Sequence, residues 1–174
     1  LNTILTTLPG DSQEVAIVTD KHEGGSPVEK LAREHNLPFS YYPTLPDTTG
    51  AIGLCASFDH LIPQDIIAIF GGNLYNLHPS ILPQYRNVSP VQYSIALGDK
   101  ETGITLFRIS PGIDDGEIIA QTTESISQSD TTATLTPRLF TKGAELFLQM
   151  IQGSELCLPP QKNKVPNLVF TKRL

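Results

Sequence analysis

The sequence lacks most of the features that would place it outside the ordinary globular class. It has two cysteines, Cys55 and Cys157, which are too few for a disulfide framework or a cysteine-based metal cluster. No apolar run approaches the roughly 20 residues that a membrane helix needs, and no repeat, low-complexity segment or targeting peptide is visible. Its 174 residues, 39% hydrophobic and 17% charged, therefore predict one soluble domain with a real core in a reducing compartment.

Positive charge is scarce as well. The formal net charge of -6 argues against a broad nucleic-acid footprint, because phosphate contacts are built from lysine and arginine. Cations gather near the end of the chain, at Lys162, Lys164, Lys172 and Arg173. Such a tail could touch RNA, although a solvated end is the more common explanation.

Strand and helix patterns alternate through the first half of the chain. Residues 14–19, 39–42 and 50–56 have the apolar and β-branched content of strands, and helices are predicted over residues 26–35 and 64–70. This alternation predicts an α/β fold, with a right-handed, mostly parallel, Rossmann-like sheet and helices on both of its faces.

In the second half of the chain, two consecutive strands and a long helix replace the alternation of strand and helix. Strands are predicted over residues 102–109 and 117–125 and could pair antiparallel. A final helix is predicted over about residues 132–152, with Pro137 expected to bend or delay its first turns. Residues 154–174 are punctuated by proline and are expected to form an extended tail.

The most informative stretch follows a short predicted strand that ends near Tyr75. Asn76 and His78 stand two residues apart, so on an extended backbone their side chains point to the same face. Pro79 then prevents further pairing in the middle of a sheet. In open α/β sheets, ligands bind at the strand ends. An amide and an imidazole directed at one spot can hold the oxygen of a tetrahedral intermediate in acyl transfer.

A carboxylate that could assist this pair lies in the turn over residues 111–116. Asp114 could orient the imidazole of His78 or take a proton from an attacking group. A purely structural interpretation is also open: Asn76 caps a turn, His78 is a satisfied buried histidine, and Asp114 belongs to turn chemistry. Spacing alone does not decide between the two interpretations.

Three ordered motifs resemble those of the folate-dependent formyltransferases: NLHPSILPQYR at residues 76–86, GDKETGIT at 98–105 and GIDDGEI at 112–118. Ordered motifs at matching separations are more specific than any one of them. SPVQ at residues 89–92 is predicted to be a capping box. The same four residues resemble the corresponding motif in the N-terminal catalytic domain of the methionyl-tRNA formyltransferase branch. The short loop over residues 20–25 is similar to the mitochondrial members of that branch.

The resemblance implies transfer of a formyl group from 10-formyltetrahydrofolate to the amino group of initiator methionyl-tRNA, without a metal. It implies that Asn76 and His78 hold the oxyanion, while Asp114 sets the state of His78 and assists proton removal. It also implies folate contacts and substrate contacts, the former at Phe58, Asp59, His60, Leu61, Ile62 and Ile113 and the latter at Ser80 and Arg86.

Several alternatives remain open. The acceptor could instead be glycinamide ribonucleotide or a nucleotide-linked amino sugar, which the acidic balance favours, or the chain could be a non-catalytic folate-binding fragment. Leu61 and Ile62 could be core residues, Ser80 could serve a local turn, and Arg86 could anchor its own loop. The chain is expected to be a monomer without a membrane contact, located in a mitochondrial matrix or a bacterial-type cytoplasm.

The sequence departs from the family pattern at three places. Residues 2–8, which alone read as helix or strand, match the first helix of the family, so the catalytic domain over residues 1–153 is expected to lack the first central strand. Residues 154–174 resemble a linker towards a C-terminal barrel that the sequence does not contain. Asn87 stands where the family usually has glycine, and asparagine tolerates a left-handed backbone better than most residues.

Overall fold

The computed structural model describes residues 15–58 and 60–153, together with the backbone of residues 170–171. The predictions for residues 2–8, for Asp59 and for most of the tail lie outside this part of the chain. The chain divides into two compact units, Leu1–Thr49 and Gly50–Leu174.

The first unit contains two parallel strands and one helix: β1 (Ile17–Thr19), α1 (Pro27–Glu34) and β2 (Phe39–Tyr41). The predicted start of α1 is confirmed, because the Ser26 side chain accepts a hydrogen bond from the Glu29 amide at 3.0 Å and Pro27 follows the cap. Strand and helix pack through a small apolar cluster of Ile17, Ala32 and Leu37.

The second unit holds the remaining elements: β3 (Gly53–Ala56), α2 (Gln64–Ile69), β4 (Leu74–His78), β5 (Arg86–Asn87), α3 (Pro90–Ala96), β6 (Glu101–Arg108), β7 (Ile118–Ser125), α4 (Thr132–Ile151) and β8 (Phe170–Thr171). Its main sheet has the strand order β3-β4-β6-β7, parallel between β3 and β4 and antiparallel thereafter. A short parallel pair joins β5 to β8. The α/β class, with parallel pairing first and antiparallel pairing later, is confirmed.

Two sheet edges bear on the expected loss of a central strand. Within the described residues, β1 pairs with β2 alone and β3 pairs with β4 alone, so each ends its own sheet. An edge strand leaves backbone groups without a ladder partner. The absence of the first central strand from the chain stays a prediction.

Strand β6 lies at the centre of the second unit and is covered on both faces. Helix α4 covers one face, where Gly143 permits a close approach: a Cβ there would lie 2.7 Å from Ile104 and 3.0 Å from Leu77. The opposite face of β6 carries Gly103, Thr105 and Phe107, and it is covered by the segment that follows β4 (residues 79–85, the return loop). The return loop is thereby part of the interior.

One local prediction is wrong, and another is wrong in part. Ser89 does not cap α3 through its side chain, because its backbone is left-handed, with φ of 65°, and its hydroxyl makes no cap hydrogen bond. Pro137 does not delay α4, which begins at Thr132 behind a capping box of Thr131 and Thr134, and the expected bend stays a prediction. In the described part of the chain, no helix is both long and apolar enough to cross a membrane.

Candidate active site

Strand β4 carries Asn76 and His78 to the wall of an open cavity. Their cross-strand partners on β6 are Phe107 and Thr105, so both side chains lie on the face of the sheet that the return loop covers. Asn76 is half-buried and His78 is 4% exposed. The cavity has a volume of about 320 Å³, and both residues line it.

Asp114 reaches the same cavity from the turn between β6 and β7 (residues 110–116, the Asp114 turn). Its Oδ2 lies 3.5 Å from Nδ1 of His78 and accepts a hydrogen bond of 2.7 Å from the Asn87 amide. Gly116 lets this turn lie directly on the end of β6, because a Cβ there would overlap the Arg108 carbonyl. The predicted convergence of Asn76, His78 and Asp114 is therefore present in the structure.

The hydrogen bond made by Nε2 of His78 decides which ring nitrogen is free to accept a proton. Nε2 lies 2.8 Å from the Tyr85 carbonyl oxygen, which can only accept, so Nε2 carries the proton and donates it. In the uncharged ring, Nδ1 is then an unprotonated acceptor that faces Asp114. A proton gained at Nδ1 would be placed against a carboxylate.

The surroundings of His78 also decide its charge. Burial lowers the pKa of His78 below its ordinary value, and the nearby charge of Arg86 adds to this effect. The Asp114 carboxylate and the hydrogen bond to Tyr85 act in the opposite direction. The net direction is downward, so the imidazole is uncharged at neutral pH and can accept a proton.

Backbone strain is concentrated around the cavity. Six non-glycine residues in the described ranges have positive φ, and four of these line the cavity: Ser57, Asn87, Ser89 and Asp114. A fifth is Tyr85, with φ of 55°, whose carbonyl holds His78. Such conformations cost about 1–3 kcal/mol each and persist where the surrounding structure enforces them. Asn87, with φ of 80°, takes the left-handed backbone expected where the family has glycine.

The predicted folate residues form an apolar wall of the cavity: Phe58, His60, Leu61, Ile62 and Ile113. Leu61 is 74% exposed and Ile113 is 40% exposed, so Leu61 is not a core residue. The His60 ring is exposed and lies 5.0 Å from the ring of Phe58. Exposed apolar side chains around a concave surface are typical of a ligand site.

The predicted substrate residues Ser80 and Arg86 lie in the interior, at 0% and 4% exposure, and neither lines the cavity. The Ser80 hydroxyl donates a hydrogen bond of 2.6 Å to the Gln84 carbonyl within the return loop. Their role in binding a substrate stays a prediction, and this burial argues against direct contact.

Sequence reasoning missed several parts of the site. The carbonyl of Tyr85 and the amide of Asn87 fix His78 and Asp114, but main-chain groups leave no signal in a sequence. Phe140 of α4 also lines the cavity and was not singled out from the sequence. Thr105 stands inside one of the quoted motifs, which is the signal that could have drawn attention to it.

Other reactive groups do not join this arrangement. In the part of the chain that the structure describes, no three His, Cys, Asp or Glu side chains are grouped to hold a metal ion. Cys55 is half-buried, as its apolar strand predicted, and burial raises the pKa of its thiol to about 11. The thiol is therefore protonated at neutral pH.

Known proteins resemble the stretch of the chain that carries this site. The model of the formyl transferase family matches residues 45–151, a stretch that contains β4, the return loop and the Asp114 turn. The chain belongs to the formyl transferase family. Methionyl-tRNA formyltransferase of Paraburkholderia xenovorans is 35% identical to it over 143 residues, which are 72% of the chain and 44% of that relative. The matched stretch thus spans less than half of the relative's length.

Solved structures of formyl transferases share the fold. Phosphoribosylglycinamide formyltransferase from Bacillus halodurans superimposes with a TM-score of 0.70 at 26% identity, covering 84% of each chain. WlaRD, a sugar 3N-formyl transferase solved with dTDP and 5-N-formyl-THF, gives a TM-score of 0.70 at 27% identity, covering 91% of this chain and 59% of that one. Members of the family that the chain resembles therefore differ in their named acceptors.

Proposed function

We propose that the chain transfers a formyl group from 10-formyltetrahydrofolate to the amino group of methionyl-tRNA, in support of translation initiation. One observation carries the proposal: His78, held by Tyr85 through Nε2, turns Nδ1 towards Asp114 beside Asn76 in an open cavity. A hydrogen-bond donor, a proton acceptor and a carboxylate are the groups that acyl transfer to an amine needs.

The cavity suits a folate as co-substrate. Leu61 and Ile113 expose apolar surface on its wall, and the Phe58 ring lies beside them, which fits an aromatic pterin face. The sugar 3N-formyl transferase WlaRD was solved in the presence of 5-N-formyl-THF. We infer that the cavity of this chain holds the formyl donor against its apolar wall.

The three polar residues then have distinct tasks. Transfer breaks the bond between the formyl carbon and N10 of the folate and forms one to the acceptor nitrogen, while one proton passes from that nitrogen to N10. Asn76 donates an amide N–H to the formyl oxygen as negative charge develops. An uncharged His78 donates its only N–H to Tyr85, so in place of the oxyanion role that the resemblance implies, we propose that it accepts the proton at Nδ1 and later returns it. Asp114 then stabilises the charged imidazole from 3.5 Å.

The acceptor is the less constrained part of the proposal. Methionyl-tRNA is favoured by the curated relatives, one of which is 35% identical, against 26% and 27% for solved relatives named for glycinamide ribonucleotide and sugar acceptors. A small phosphorylated acceptor is the second candidate, because a net charge of -6 is unfavourable for a broad contact with RNA.

A formyl-transfer assay with each acceptor tests both candidates. Purified chain is supplied with 10-formyltetrahydrofolate and, in turn, methionyl-tRNA, glycinamide ribonucleotide and a nucleotide-linked amino sugar. Formylation of methionyl-tRNA that is lost in His78→Ala and kept in His22→Ala, an exposed histidine of the first unit, supports the proposal. Folate binding without turnover on any acceptor would replace it with the non-catalytic alternative.

The relatives also bear on location. The methionyl-tRNA formyltransferases that match the chain include those of the bacteria Paraburkholderia xenovorans and Methylococcus capsulatus. They support a bacterial-type cytoplasmic location in this proposal, and they give the mitochondrial alternative no support. The monomeric state stays a prediction, to be measured by light scattering.

A further inference from the structure

A row of three polar residues crosses the main sheet at the cavity. His78 on β4 stands opposite Thr105 on β6, and Thr105 stands opposite Gln121 on β7. Residues directly opposite each other in a sheet point to the same face, so all three lie on the face that the return loop covers. Thr105 is fully buried, and the formyl-transfer roles assigned to Asn76, His78 and Asp114 leave Thr105 and Gln121 without a task.

Thr105 and Gln121 hold the backbone of the return loop. The Thr105 hydroxyl donates to the Ser80 carbonyl at 2.7 Å and accepts from the Leu82 amide at 3.0 Å. The Gln121 amide nitrogen donates to the Leu82 carbonyl at 2.9 Å and to the Thr105 hydroxyl at 2.8 Å. These bonds use the full hydrogen-bonding capacity of the hydroxyl and both hydrogens of that nitrogen.

The same loop ends at the group that fixes the catalytic imidazole. Three residues beyond Leu82, the Tyr85 carbonyl accepts the Nε2 hydrogen of His78 at 2.8 Å. Tyr85 needs external support, because its φ of 55° is unfavourable for a large side chain. Its hydroxyl is anchored on Asp99 at 2.7 Å, and its main chain follows from the anchored Leu82.

We propose that Thr105 and Gln121 are positioning residues that set the tautomer of His78 through the return loop. This inference rests on the proposed formyl transfer for its kinetic consequences. Neither side chain lines the cavity. They hold the Tyr85 carbonyl where it keeps the proton on Nε2 and so leaves Nδ1 open. If the carbonyl moves, the Nε2 hydrogen loses its acceptor, and the Asp114 carboxylate beside Nδ1 favours the other tautomer.

Thr105→Val is the first test, because it keeps the shape of the side chain and removes the hydroxyl. We expect kcat for formyl transfer to fall about 10- to 100-fold, as for a small misplacement of a catalytic group, while the KM for the folate stays within about twofold. Thr105→Ser returns the hydroxyl and should restore kcat to within about threefold. Thr102→Val removes another buried threonine hydroxyl from β6 and is the matched control with expected unchanged kcat.

A second readout does not depend on turnover. Nitrogen-15 NMR of the histidine rings at neutral pH should show the Nε2–H tautomer for His78 in the parent chain and in Thr102→Val. It should show a mixture of tautomers in Thr105→Val and in Gln121→Met, which keeps the length of the side chain and removes its donor. If Thr105→Val does not fold, kcat and the ring spectra of Gln121→Met test the proposal in its place.

The outcomes separate this inference from the proposed function. A single Nε2–H tautomer and an unchanged kcat in both folded variants would overturn the positioning role, as would an equal loss of kcat in Thr102→Val. If the parent chain formylates no acceptor, the proposed function fails, and the ring spectra still decide whether Thr105 and Gln121 set the tautomer.

Discussion

The two segments that complete the candidate active site are held in different ways. The return loop is fixed from inside the protein, where Thr105 and Gln121 hold its backbone and Leu82 packs against Phe107. The Asp114 turn is held near the surface, by the hydrogen bond between Ser110 and the exposed Asp115 and by the Asn87 amide. The imidazole is thus tied to a rigid interior and the carboxylate to an outer turn.

This difference suggests how the two groups share their work. A buried hydrogen-bond network allows little adjustment, so the direction of Nε2 and Nδ1 is set before any ligand binds. Nδ1 of His78 lies 3.5 Å from Asp114, which is longer than a good hydrogen bond, and the outer turn is the segment that can shorten this distance once Nδ1 gains a proton. We therefore expect changes at His78 to act on chemistry and changes in the turn to act more mildly.

The largest effect is expected from His78→Ala. It removes the proton acceptor at Nδ1 and leaves the return loop without its contact to β4, so kcat should fall about 10³- to 10⁴-fold. Circular dichroism and the KM for the folate serve as the controls for folding and binding. Turnover close to that of the parent chain would remove His78 from the mechanism.

A smaller loss is expected from Asp114→Asn. An amide oxygen can still accept from the Asn87 amide, so the turn should keep its place while the negative charge facing His78 is lost. We expect kcat to fall about 10²-fold, in line with the loss of one charge-stabilising group. A fall in kcat as large as that of His78→Ala would mean that the carboxylate is as important for transfer as the imidazole.

The pH dependence of transfer reports the state of His78. Because burial lowers the pKa of His78, the unprotonated form should persist below the ordinary value of about 6.5, and activity should fall about tenfold per pH unit only below the lowered pKa. Asp114 raises this pKa, so Asp114→Asn should move the acid limb to still lower pH. The measurement is kcat/KM from about pH 5 to 8, and an acid limb above about pH 6.5 would contradict it.

The same shift has a consequence for stability. The folded protein binds fewer protons at His78 than the unfolded chain does between the lowered pKa and about 6.5, so its contribution to stability should be lost as pH falls through this window. Urea unfolding of the parent chain and of His78→Ala, at the two ends of the window, measures the difference.

A matched pair of serine substitutions compares the two segments directly and has the smallest expected effects. Ser80→Ala leaves the Gln84 carbonyl without its buried donor and should lower the free energy of unfolding by about 1–2 kcal/mol. Ser110→Ala removes an exposed hydrogen bond to Asp115 and should cost less than about 0.5 kcal/mol. Equal losses in urea unfolding would mean that the two segments are held alike.

Much of the architecture was predictable from local patterns. The β-branched runs and helix signals placed α1, α2, α4 and the strands of the main sheet in the described residues to within a few positions, since hydrophobic periodicity is a local property. The Ser89 cap failed because the backbone at that residue is left-handed, which places its hydroxyl away from the helix amides. The backbone conformation at Ser89 overrode a local sequence signal.

The sequence by itself determined which side chains could carry the chemistry and that Asn76 and His78 would share a face, because alternation along a strand needs no long-range information. Only the tertiary structure decided which nitrogen of His78 is free and what charge it has. Those properties depend on a main-chain carbonyl at Tyr85, on burial, and on side chains from β6 and β7 that are 23 and 39 residues distant from the loop position they hold. Contacts between distant segments leave no periodic trace in the sequence, since they depend on how the strands are paired.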